Sequence, residues 1–146
     1  MQSKYRLLVV RLGAMGDILH ALPAITALRQ AHPNWQIDWV VDPRWQALLA
    51  VPGTTERGKQ MPVVDQLHFA PTRDWRKGPL SRRTITSVNS LRVQLKSAGY
   101  DAVLDVQGAM RSAVLARMAG CSRVIGEAMP RETAARLLFT EQVITH

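Results

Sequence analysis

The chain has 146 residues, of which 47% are hydrophobic and 21% charged, and this composition excludes disordered, collagenous and coiled-coil proteins. Its 19 Lys and Arg residues against 11 Asp and Glu residues give a net charge of +8, which indicates an acidic partner such as nucleic acid, anionic lipid or a phosphorylated substrate. Cys121 is the only cysteine, so no intramolecular disulfide forms, and the expected location is the reducing cytoplasm. The apolar run 7–10 is too short to span a membrane, and the N-terminus lacks the pattern of a signal peptide.

The first half of the chain alternates strand patterns with helix patterns. Residues 5–12 (YRLLVVRL) form a short apolar run that ends at Gly13, as a buried parallel strand does. Apolar residues then recur at spacings of three and four between Ile18 and Leu28, which predicts an amphipathic helix ending at residues 32–33. The remaining predicted elements of this half are a strand over 36–41, a short helix over 44–49 and a polar loop over 54–61.

Pro23 interrupts the pattern of the first predicted helix. Proline removes one backbone hydrogen bond and disfavours helical geometry at the preceding residue, Leu22. We therefore expect either a kink at Pro23 or a helix whose regular part begins there.

The second half of the chain continues the alternation, which predicts right-handed βαβ units and a parallel sheet covered on both faces. The expected fold is therefore α/β, a Rossmann-like doubly wound parallel sheet in a single domain over residues 1–146. In such sheets, ligands bind beyond the carboxyl ends of the strands. The predicted elements are strands over 63–69, 102–106 and 124–125 and helices over 80–98, 110–119 and 132–139.

The first predicted strand leads into a loop made of Gly13, Ala14, Met15 and Gly16, which ends at Asp17. Two glycines three residues apart allow a tight turn that presents backbone N–H groups to a ligand at a helix N-terminus. The dinucleotide fingerprint requires glycine where Met15 stands, so the loop gives only weak support to a nicotinamide enzyme. Asp17 has two interpretations: a cap of the following helix, or a general base that takes a proton from a substrate hydroxyl.

Positive charge is concentrated in residues 72–96, where seven Lys and Arg residues accompany a single acidic residue. Arg73, Arg76 and Lys77 surround Trp75 in a segment bounded by prolines, which predicts a mobile basic arm suited to phosphates or carboxylates. The alternatives are a solvated basic loop and a site for single-stranded RNA, although RNA binding uses several stacking aromatics and this segment has one.

Three polar residues cluster where the fourth predicted strand ends. Asp105, Gln107 and Arg111 each have a structural interpretation: a turn cap, a backbone hydrogen-bond partner and an exposed helix residue, respectively. Their convergence at the carboxyl edge of the sheet favours a role in ligand binding. The four histidines show neither the spacing nor the acidic partners of metal ligands, so no metal site is expected.

Residues 8–24 (LVVRLGAMGDILHALPA) resemble the N-terminal signature of glycosyltransferase family 9, the ADP-heptose:lipopolysaccharide heptosyltransferases. The resemblance extends over nearly the whole chain, and its specificity comes from the Met-Gly-Asp…Pro block together with Tyr-Asp…Gln-Gly. The other stretches that fit lie, in chain order, at 38–41, 73–77, 100–108, 131–132 and 138–139.

The resemblance implies that the chain is the N-terminal, acceptor-binding half of a two-domain GT-B transferase. Family members are roughly twice as long, so we expect the C-terminal donor-binding domain to be absent from this chain and the chain alone to be inactive. In the family, the aspartate that matches Asp17 is the catalytic base. It deprotonates an acceptor hydroxyl, which attacks the anomeric carbon of ADP-heptose with inversion, and the reaction uses no metal and no cofactor.

The resemblance also implies the partners: Kdo-lipid A as an acidic glycolipid acceptor, and ADP-heptose as the donor held by the second domain. Further expectations are peripheral contact with the cytoplasmic face of the inner membrane, self-association through apolar surface that the second domain would cover, and no nucleic-acid partner. A basic Rossmann-like module that binds nucleic acid or an anionic surface is the alternative function. The expected acceptor-binding residues are Arg73, Arg76, Lys77, Gln107, Arg111 and Arg131.

Overall fold

Residues 3–49 and 63–145 are described by the computed structural model, and within them six strands form one parallel sheet. The strands are β1 (Arg6–Val10), β2 (Gln36–Val41), β3 (Gln66–Phe69), β4 (Ala102–Asp105), β5 (Val124–Glu127) and β6 (Glu141–Val143). Their spatial order is β3-β2-β1-β4-β5-β6. The chain therefore starts at the centre of the sheet, builds one half, and crosses after β3 to build the other half, which places the reversal of strand order between β1 and β4.

Helical segments connect these strands within the described residues. They are α1 (Met15–Ala31), α2 (Gln46–Leu49), α3 (Thr72–Lys77), α4 (Arg82–Ala98) and α5 (Met110–Met118), together with 3₁₀ turns at Pro43–Trp45 and Thr133–Leu138.

Two apolar cores lie on opposite faces of the sheet, because alternate side chains of a strand point to opposite sides. Leu7 and Val9 of β1 belong to the core that contains Ile18 of α1. Leu8 and Val10 belong to the other core, which includes buried residues of α4 and α5. The prediction of an α/β, doubly wound parallel sheet is confirmed, since helices pack on both of its faces.

Pro23 lies inside α1, which runs without interruption from Met15 to Ala31. The expectation that the regular helix begins at Pro23 is therefore wrong. A proline at this position leaves the carbonyl of Leu19 without its intrahelical donor. Both residues are exposed, so water can satisfy that carbonyl and the helix continues.

The basic segment around Trp75 is a helix, α3, and the prediction of a mobile arm is wrong. Asp74 stands in its first turn and Arg76 and Lys77 in its last, an arrangement that complements the helix dipole. The Trp75 ring packs against the core, and its Nε1 donates a hydrogen bond to Ser87 Oγ at 3.0 Å. This aromatic anchor fixes the helix on α4, so its basic residues have defined positions.

Three further predictions differ from the structure. The strand expected over 63–69 begins at Gln66, and the helix expected over 132–139 is a short 3₁₀ helix, Thr133–Leu138. Strand β6 was not predicted, because its three exposed residues carry no apolar alternation. The loop predicted over 54–61 lies outside the described residues.

Candidate functional site

The loop that follows β1 is held on both sides at the carboxyl edge of the sheet. The backbone N–H of Leu12 donates to Gln107 Oε1 at 2.8 Å, from the β4 side. The indole Nε1 of Trp39, in β2, donates to the carbonyl of Arg11 at 3.0 Å. The loop is therefore positioned by both neighbouring strands before α1 begins.

The two glycines of this loop have different roles. A Cβ on Gly13 would lie 2.8 Å from Nε1 of Trp45, so a side chain at this position would displace the indole. A Cβ on Gly16 would meet nothing within 4 Å. Close packing thus explains why residue 13 is glycine. Gly16, the second residue of α1, leaves open space beside the N-terminus of the helix. Ligand binding by the backbone of Gly13, Ala14, Met15 and Gly16 stays a prediction.

Asp17 is the third residue of α1 and not its cap, since the N-cap is Ala14. Its side chain is 47% exposed, Oδ2 lies 2.6 Å from Nη2 of Arg11, and Oδ2 also accepts a weaker hydrogen bond from the Ala14 N–H at 3.4 Å. The charge of Arg11 and its hydrogen bond hold the pKa of Asp17 below the ordinary value, so the carboxylate is ionised at neutral pH. An ionised and accessible carboxylate at the ligand-binding edge can act as a general base.

Asp17 lies at a groove of about 480 Å³ between α1 and β4. The polar residues of this groove are Arg11, Asp17 and His20, and the rest of its lining is apolar. A substrate hydroxyl that enters the groove would meet the carboxylate beside a largely apolar wall. The apolar lining consists of Ala21, Ala24, Ile25, Leu28, Leu104 and Val106.

A larger cavity of about 760 Å³ is lined by Arg76, Arg111 and Arg131, and we call it the three-arginine cavity. These arginines come from α3, α5 and the segment before the 3₁₀ turn at Thr133–Leu138, respectively. Much of the remaining lining is apolar, so the cavity suits a ligand that carries acidic groups on an apolar body. The apolar side chains around it are Trp75, Pro79, Val88, Ala109, Met110, Val114, Leu115 and Met118.

The three arginines concentrate positive charge that few protein groups balance. Burial lowers the pKa of Arg111, and the charges of Arg76 and Arg131 lower it further, while Glu132 and Asp42 act in the opposite direction. Within residues 3–49 and 63–145, none of the three guanidinium groups makes a hydrogen bond or an ion pair with another side chain. An anion in the cavity would receive hydrogen bonds from guanidinium groups that have no side-chain acceptor there.

Gly108 brings Arg131 close to Arg111. Gly108 has a φ of +69°, and a Cβ there would lie 3.1 Å from the Arg131 nitrogen and from Cβ of Pro130. The Glu132 N–H donates to the Gly108 carbonyl at 2.9 Å, and Glu132 Oε2 accepts from the Met110 N–H at 2.9 Å. Only glycine combines this backbone conformation with such a close approach, so Gly108 allows the segment before the 3₁₀ turn to pack on the start of α5.

The other two predicted basic residues do not line the three-arginine cavity. Lys77 lies 3.9 Å from Asp74 and faces a neighbouring cavity of about 610 Å³ between α3 and α4, which Arg83 also lines. Arg73 is exposed on α3 and lines neither cavity. Arg76, Gln107, Arg111 and Arg131 are thus brought together, and Arg73 and Lys77 are not.

Gln107 and Asp105 support the loops around the cavity. Gln107 lines the cavity, but its Oε1 is already bonded to the Leu12 N–H, so its structural interpretation also holds. Asp105 is buried, and burial raises the pKa of its carboxyl group against the opposing effect of its hydrogen bonds. It accepts hydrogen bonds from the N–H groups of Gln107 and Gly108 and from Ser112 Oγ, and thereby fixes the connection between β4 and α5.

The sequence analysis assigned no structural or functional role to Arg11, Gly108 or Glu132. Arg11 stands at the end of an apolar strand pattern. A single basic residue at that place does not indicate that it pairs with Asp17, six positions later. A glycine after a strand is common, and only the close approach of Pro130 and Arg131 shows what Gly108 does.

Two further observations concern residues 3–49 and 63–145. In this part of the chain, no three His, Cys, Asp or Glu side chains are grouped so that they could hold a metal ion. No helix in these ranges has the length and apolar character needed to cross a membrane.

Comparison with known sequences gives one consistent relationship. Residues 88–145 match the family model of glycosyltransferase family 9 (heptosyltransferase). Lipopolysaccharide heptosyltransferase 1 of Escherichia coli K12 is 34% identical over 116 residues, which are 75% of this chain and 32% of the relative. The enzyme of the same name from Salmonella typhimurium LT2 is 32% identical over 139 residues, 94% of this chain and 41% of the relative.

Comparison with solved structures agrees. The structure of E. coli heptosyltransferase WaaC with ADP-2-deoxy-2-fluoro heptose matches with a TM-score of 0.82 and 29% identity, and the match covers 97% of this chain and 42% of that chain. The present chain therefore spans between 32% and 42% of the length of these relatives. The predicted resemblance to the family and its GT-B fold is confirmed.

Proposed function

The chain belongs to glycosyltransferase family 9, and from this premise we propose that it forms the acceptor-binding, base-bearing domain of an inverting heptosyltransferase of lipopolysaccharide synthesis. The reaction is the transfer of heptose from ADP-heptose to the Kdo-lipid A inner core. The observation that carries the proposal is the presence of two complementary features at one edge of the sheet: the ionised carboxylate of Asp17 and the three-arginine cavity.

The chemistry follows from these two features. Asp17 accepts the proton of an acceptor hydroxyl, and the freed oxygen attacks the anomeric carbon of the donor. The new bond joins that oxygen to the anomeric carbon, the bond from the same carbon to the diphosphate breaks, and ADP leaves with the electron pair. Arg76, Arg111 and Arg131 hold acidic groups of the acceptor so that its hydroxyl stays near Asp17.

The donor is the part of the reaction that this domain does not hold in our proposal. The E. coli structure that matches the chain contains a fluorinated analogue of ADP-heptose, in a chain more than twice as long. We assign the donor to a second domain of the GT-B fold, so the present domain alone gives no turnover. Displacement requires the donor carbon to be held in line with the acceptor oxygen.

The test is heptosyl transfer from ADP-heptose to Kdo-lipid A, with this chain alone and with the donor-binding domain of the E. coli relative added. We expect product only when both are present, and no product with Asp17→Asn. The matched control is Asp101→Asn, which alters an exposed carboxylate before β4 whose oxygen accepts from the Arg6 N–H, a role that an asparagine oxygen can retain. No product from the folded wild-type chain in either mixture would contradict the proposal.

Membrane contact, location and self-association belong to the same proposal. An acceptor carried on a lipid places the reaction at the cytoplasmic face of the inner membrane, and the domain contacts that face peripherally. Leu80 follows Pro79 of the three-arginine cavity, Met129 stands two residues before Arg131, and both are almost fully exposed, which favours contact with the apolar part of the acceptor. Self-association would use apolar surface that the second domain covers. The nucleic-acid alternative is not favoured, since the relatives are heptosyltransferases.

A further inference from the structure

The guanidinium group of Arg11 is fixed at both of its ends. Nη1 donates a hydrogen bond to the carbonyl of Val106 at 2.6 Å, and Nη2 lies 2.6 Å from Oδ2 of Asp17. The side chain is only 13% exposed, and within the described residues its Nε is buried without a hydrogen-bond partner. A buried guanidinium with an unsatisfied Nε is costly, so contacts with Val106 and Asp17 must compensate for its burial.

The backbone of Arg11 is fixed as well. Its N–H donates to the carbonyl of Val40 at 3.3 Å, and its own carbonyl accepts from Nε1 of Trp39 at 3.0 Å. Since the backbone of Arg11 has partners in β2 and its guanidinium is bonded to Val106, directly after β4, the side chain is held independently of Asp17. The position of the Arg11 guanidinium therefore determines where Oδ2 of Asp17 lies.

Both contacts of the Asp17 carboxylate involve the same oxygen. Oδ2 faces Arg11 Nη2 and the Ala14 N–H, and Oδ1 makes no hydrogen bond with the described residues. The charged groups that act on Asp17 are Arg11 from the loop after β1 and, more weakly, His20 from the next turn of α1. The carboxylate therefore has one occupied oxygen and one that is available to the groove.

We propose that Arg11 is the positioning residue for Asp17: it holds Oδ2 so that Oδ1 receives the proton of the acceptor hydroxyl. This inference rests on the proposed function, because it takes Asp17 as the base. During transfer the O–H bond of the acceptor breaks, the proton binds Oδ1, and the acceptor oxygen bonds to the anomeric carbon as ADP leaves. Both terminal nitrogens of the Arg11 guanidinium are engaged by Val106 and Asp17, so Arg11 acts through the orientation and the charge of Asp17.

The first test needs neither donor nor acceptor. The ¹³C resonance of the Asp17 carboxyl group is titrated in the folded chain and assigned by its loss in Asp17→Asn. We expect the wild-type pKa below the ordinary aspartate value, a higher pKa in Arg11→Gln, and a low pKa in Arg11→Lys, which keeps the positive charge. The control is Arg136→Gln, which removes one exposed positive charge near the 3₁₀ turn at Thr133–Leu138. An unchanged Asp17 pKa in folded Arg11→Gln would overturn the inference.

The second test uses the transfer assay with the added donor-binding domain. We expect Arg11→Lys to lower kcat about tenfold or more with little change in the KM for acceptor, because an ammonium group cannot bridge Val106 and Asp17 as the guanidinium fork does. Arg11→Gln should in addition move the acidic limb of the pH profile of kcat/KM to higher pH. Wild-type kcat in Arg11→Lys would show that charge suffices, and it would overturn the positioning role.

The two tests separate the failure of this inference from the failure of the proposed function. If the wild-type chain gives no transfer but the Asp17 pKa responds to Arg11, the proposed function has failed and the catalytic role of Arg11 falls with it, while the contact stands. If the wild-type chain is active and both Arg11 variants match Arg136→Gln in kcat and in pH profile, only the inference about Arg11 is overturned. Circular dichroism establishes folding in each case, and Arg11→Lys supplies the test if Arg11→Gln does not fold.

Discussion

Arg76, Arg111 and Arg131 reach one cavity from three separate parts of the chain. Burial and, after it, the charges of Arg76 and Arg131 lower the pKa of Arg111, so the like charges repel one another and the rest of the fold must hold them there. Glu132 offsets part of the repulsion from a position next to Arg131 in sequence. The remaining repulsion is relieved when an anion binds, so the same arrangement that costs stability in the empty domain favours an acidic ligand.

We expect Arg111→Gln to weaken binding of Kdo-lipid A by about tenfold to a hundredfold, the effect of losing a charge-assisted hydrogen bond. Glutamine keeps much of the volume and removes the charge. Arg136→Gln, which removes a charge outside the three-arginine cavity, should leave the affinity within about twofold of wild type. Titration calorimetry with the acceptor in detergent measures both, and equal losses in the two variants would indicate a diffuse charge effect in place of a site.

Gly108→Ala should lower the free energy of unfolding by more than about 1 kcal/mol, because the added Cβ meets Pro130 and Arg131 at 3.1 Å in a left-handed backbone conformation. Gly16→Ala is the matched control, since a Cβ there has no neighbour within 4 Å and the residue lies in a helix. We expect that control to be neutral or to stabilise the chain by about 0.4–1 kcal/mol. Urea denaturation compares the two variants, and equal effects would contradict the close approach at Gly108.

At the level of whole elements, α3 shows what the sequence pattern could and could not reveal. Its basic residues and the prolines beside it predicted a mobile loop, because six residues are too few for a helical period to be recognised. The Trp75 ring decides the outcome, since its burial and its bond to Ser87 Oγ attach the segment to α4. Ser87 lies 12 residues from Trp75 in the sequence, so this contact is tertiary and the local sequence pattern does not indicate it.

The central strands were predictable for the opposite reason. Strands buried on both faces are largely apolar, and β1 and β2 carry that signal in the sequence although β2 also contains the buried Asp38. Asp17, Gln107 and Arg111 were predicted as site residues because ligands bind beyond the carboxyl ends of parallel strands, and Arg131 was predicted from the family resemblance. The structure places these residues after β1, β4 and β5, and their roles in binding stay predictions. The pairing of Asp17 with Arg11 was not predicted, because it depends on how the loop after β1 closes over the end of β4.

Strands β2 and β3 and helix α4 share a buried polar network near Tyr100. The Tyr100 hydroxyl donates to Oδ2 of the fully buried Asp38 at 2.6 Å and lies 2.7 Å from Nε2 of His68. Burial lowers the pKa of His68, although the charge of Asp38 and a bond to Gln94 oppose this effect. The network joins elements that precede and follow the crossover in the sheet. The protonation state of His68 therefore affects the stability of the contact between the two halves of the sheet.

Stability should therefore decline when the solution becomes acidic. The pKa of His68 is lower in the folded chain than the ordinary value of 6.5, so the unfolded chain takes up the proton first as the pH falls below that value. We expect a smaller loss of unfolding free energy between about pH 7.5 and about pH 5.5 in His68→Gln than in wild type. His20→Gln, at an exposed histidine, should keep the full loss. Urea denaturation at both pH values measures this loss of unfolding free energy. Equal losses in all three proteins would show that His68 is not the cause of the pH dependence.

At the scale of the whole molecule, residues 72–96 carry +6 of the net charge of +8, since seven Lys and Arg residues face one Asp there, and Arg76 of this segment lines the three-arginine cavity. A polyanion would respond to that field without regard to its chemistry, whereas a glycolipid would also use the apolar lining. The two kinds of ligand therefore differ in how their binding depends on salt.

We expect the domain to bind vesicles of phosphatidylcholine that contain Kdo-lipid A more tightly than it binds polyuridylate, and to lose less affinity as salt rises. Release of counterions should weaken polyuridylate binding steeply between about 50 mM and about 200 mM salt. Val114→Ser, which removes apolar surface from the cavity, should weaken only the vesicle binding. Sedimentation measures binding to the vesicles, and fluorescence anisotropy measures binding to polyuridylate. Identical salt dependence of the two affinities would favour the nucleic-acid alternative.

The anchoring of α3 has an optical consequence. Trp75 lines the three-arginine cavity while its Nε1 is bonded to Ser87, so the indole stays in place when a ligand enters. A ligand with an apolar body would replace water beside that ring, and tryptophan emission shifts to shorter wavelength when its surroundings become less polar. The domain thus carries an intrinsic reporter of acceptor entry, and Trp75→Phe would silence it while Trp35, Trp39 and Trp45 continue to emit.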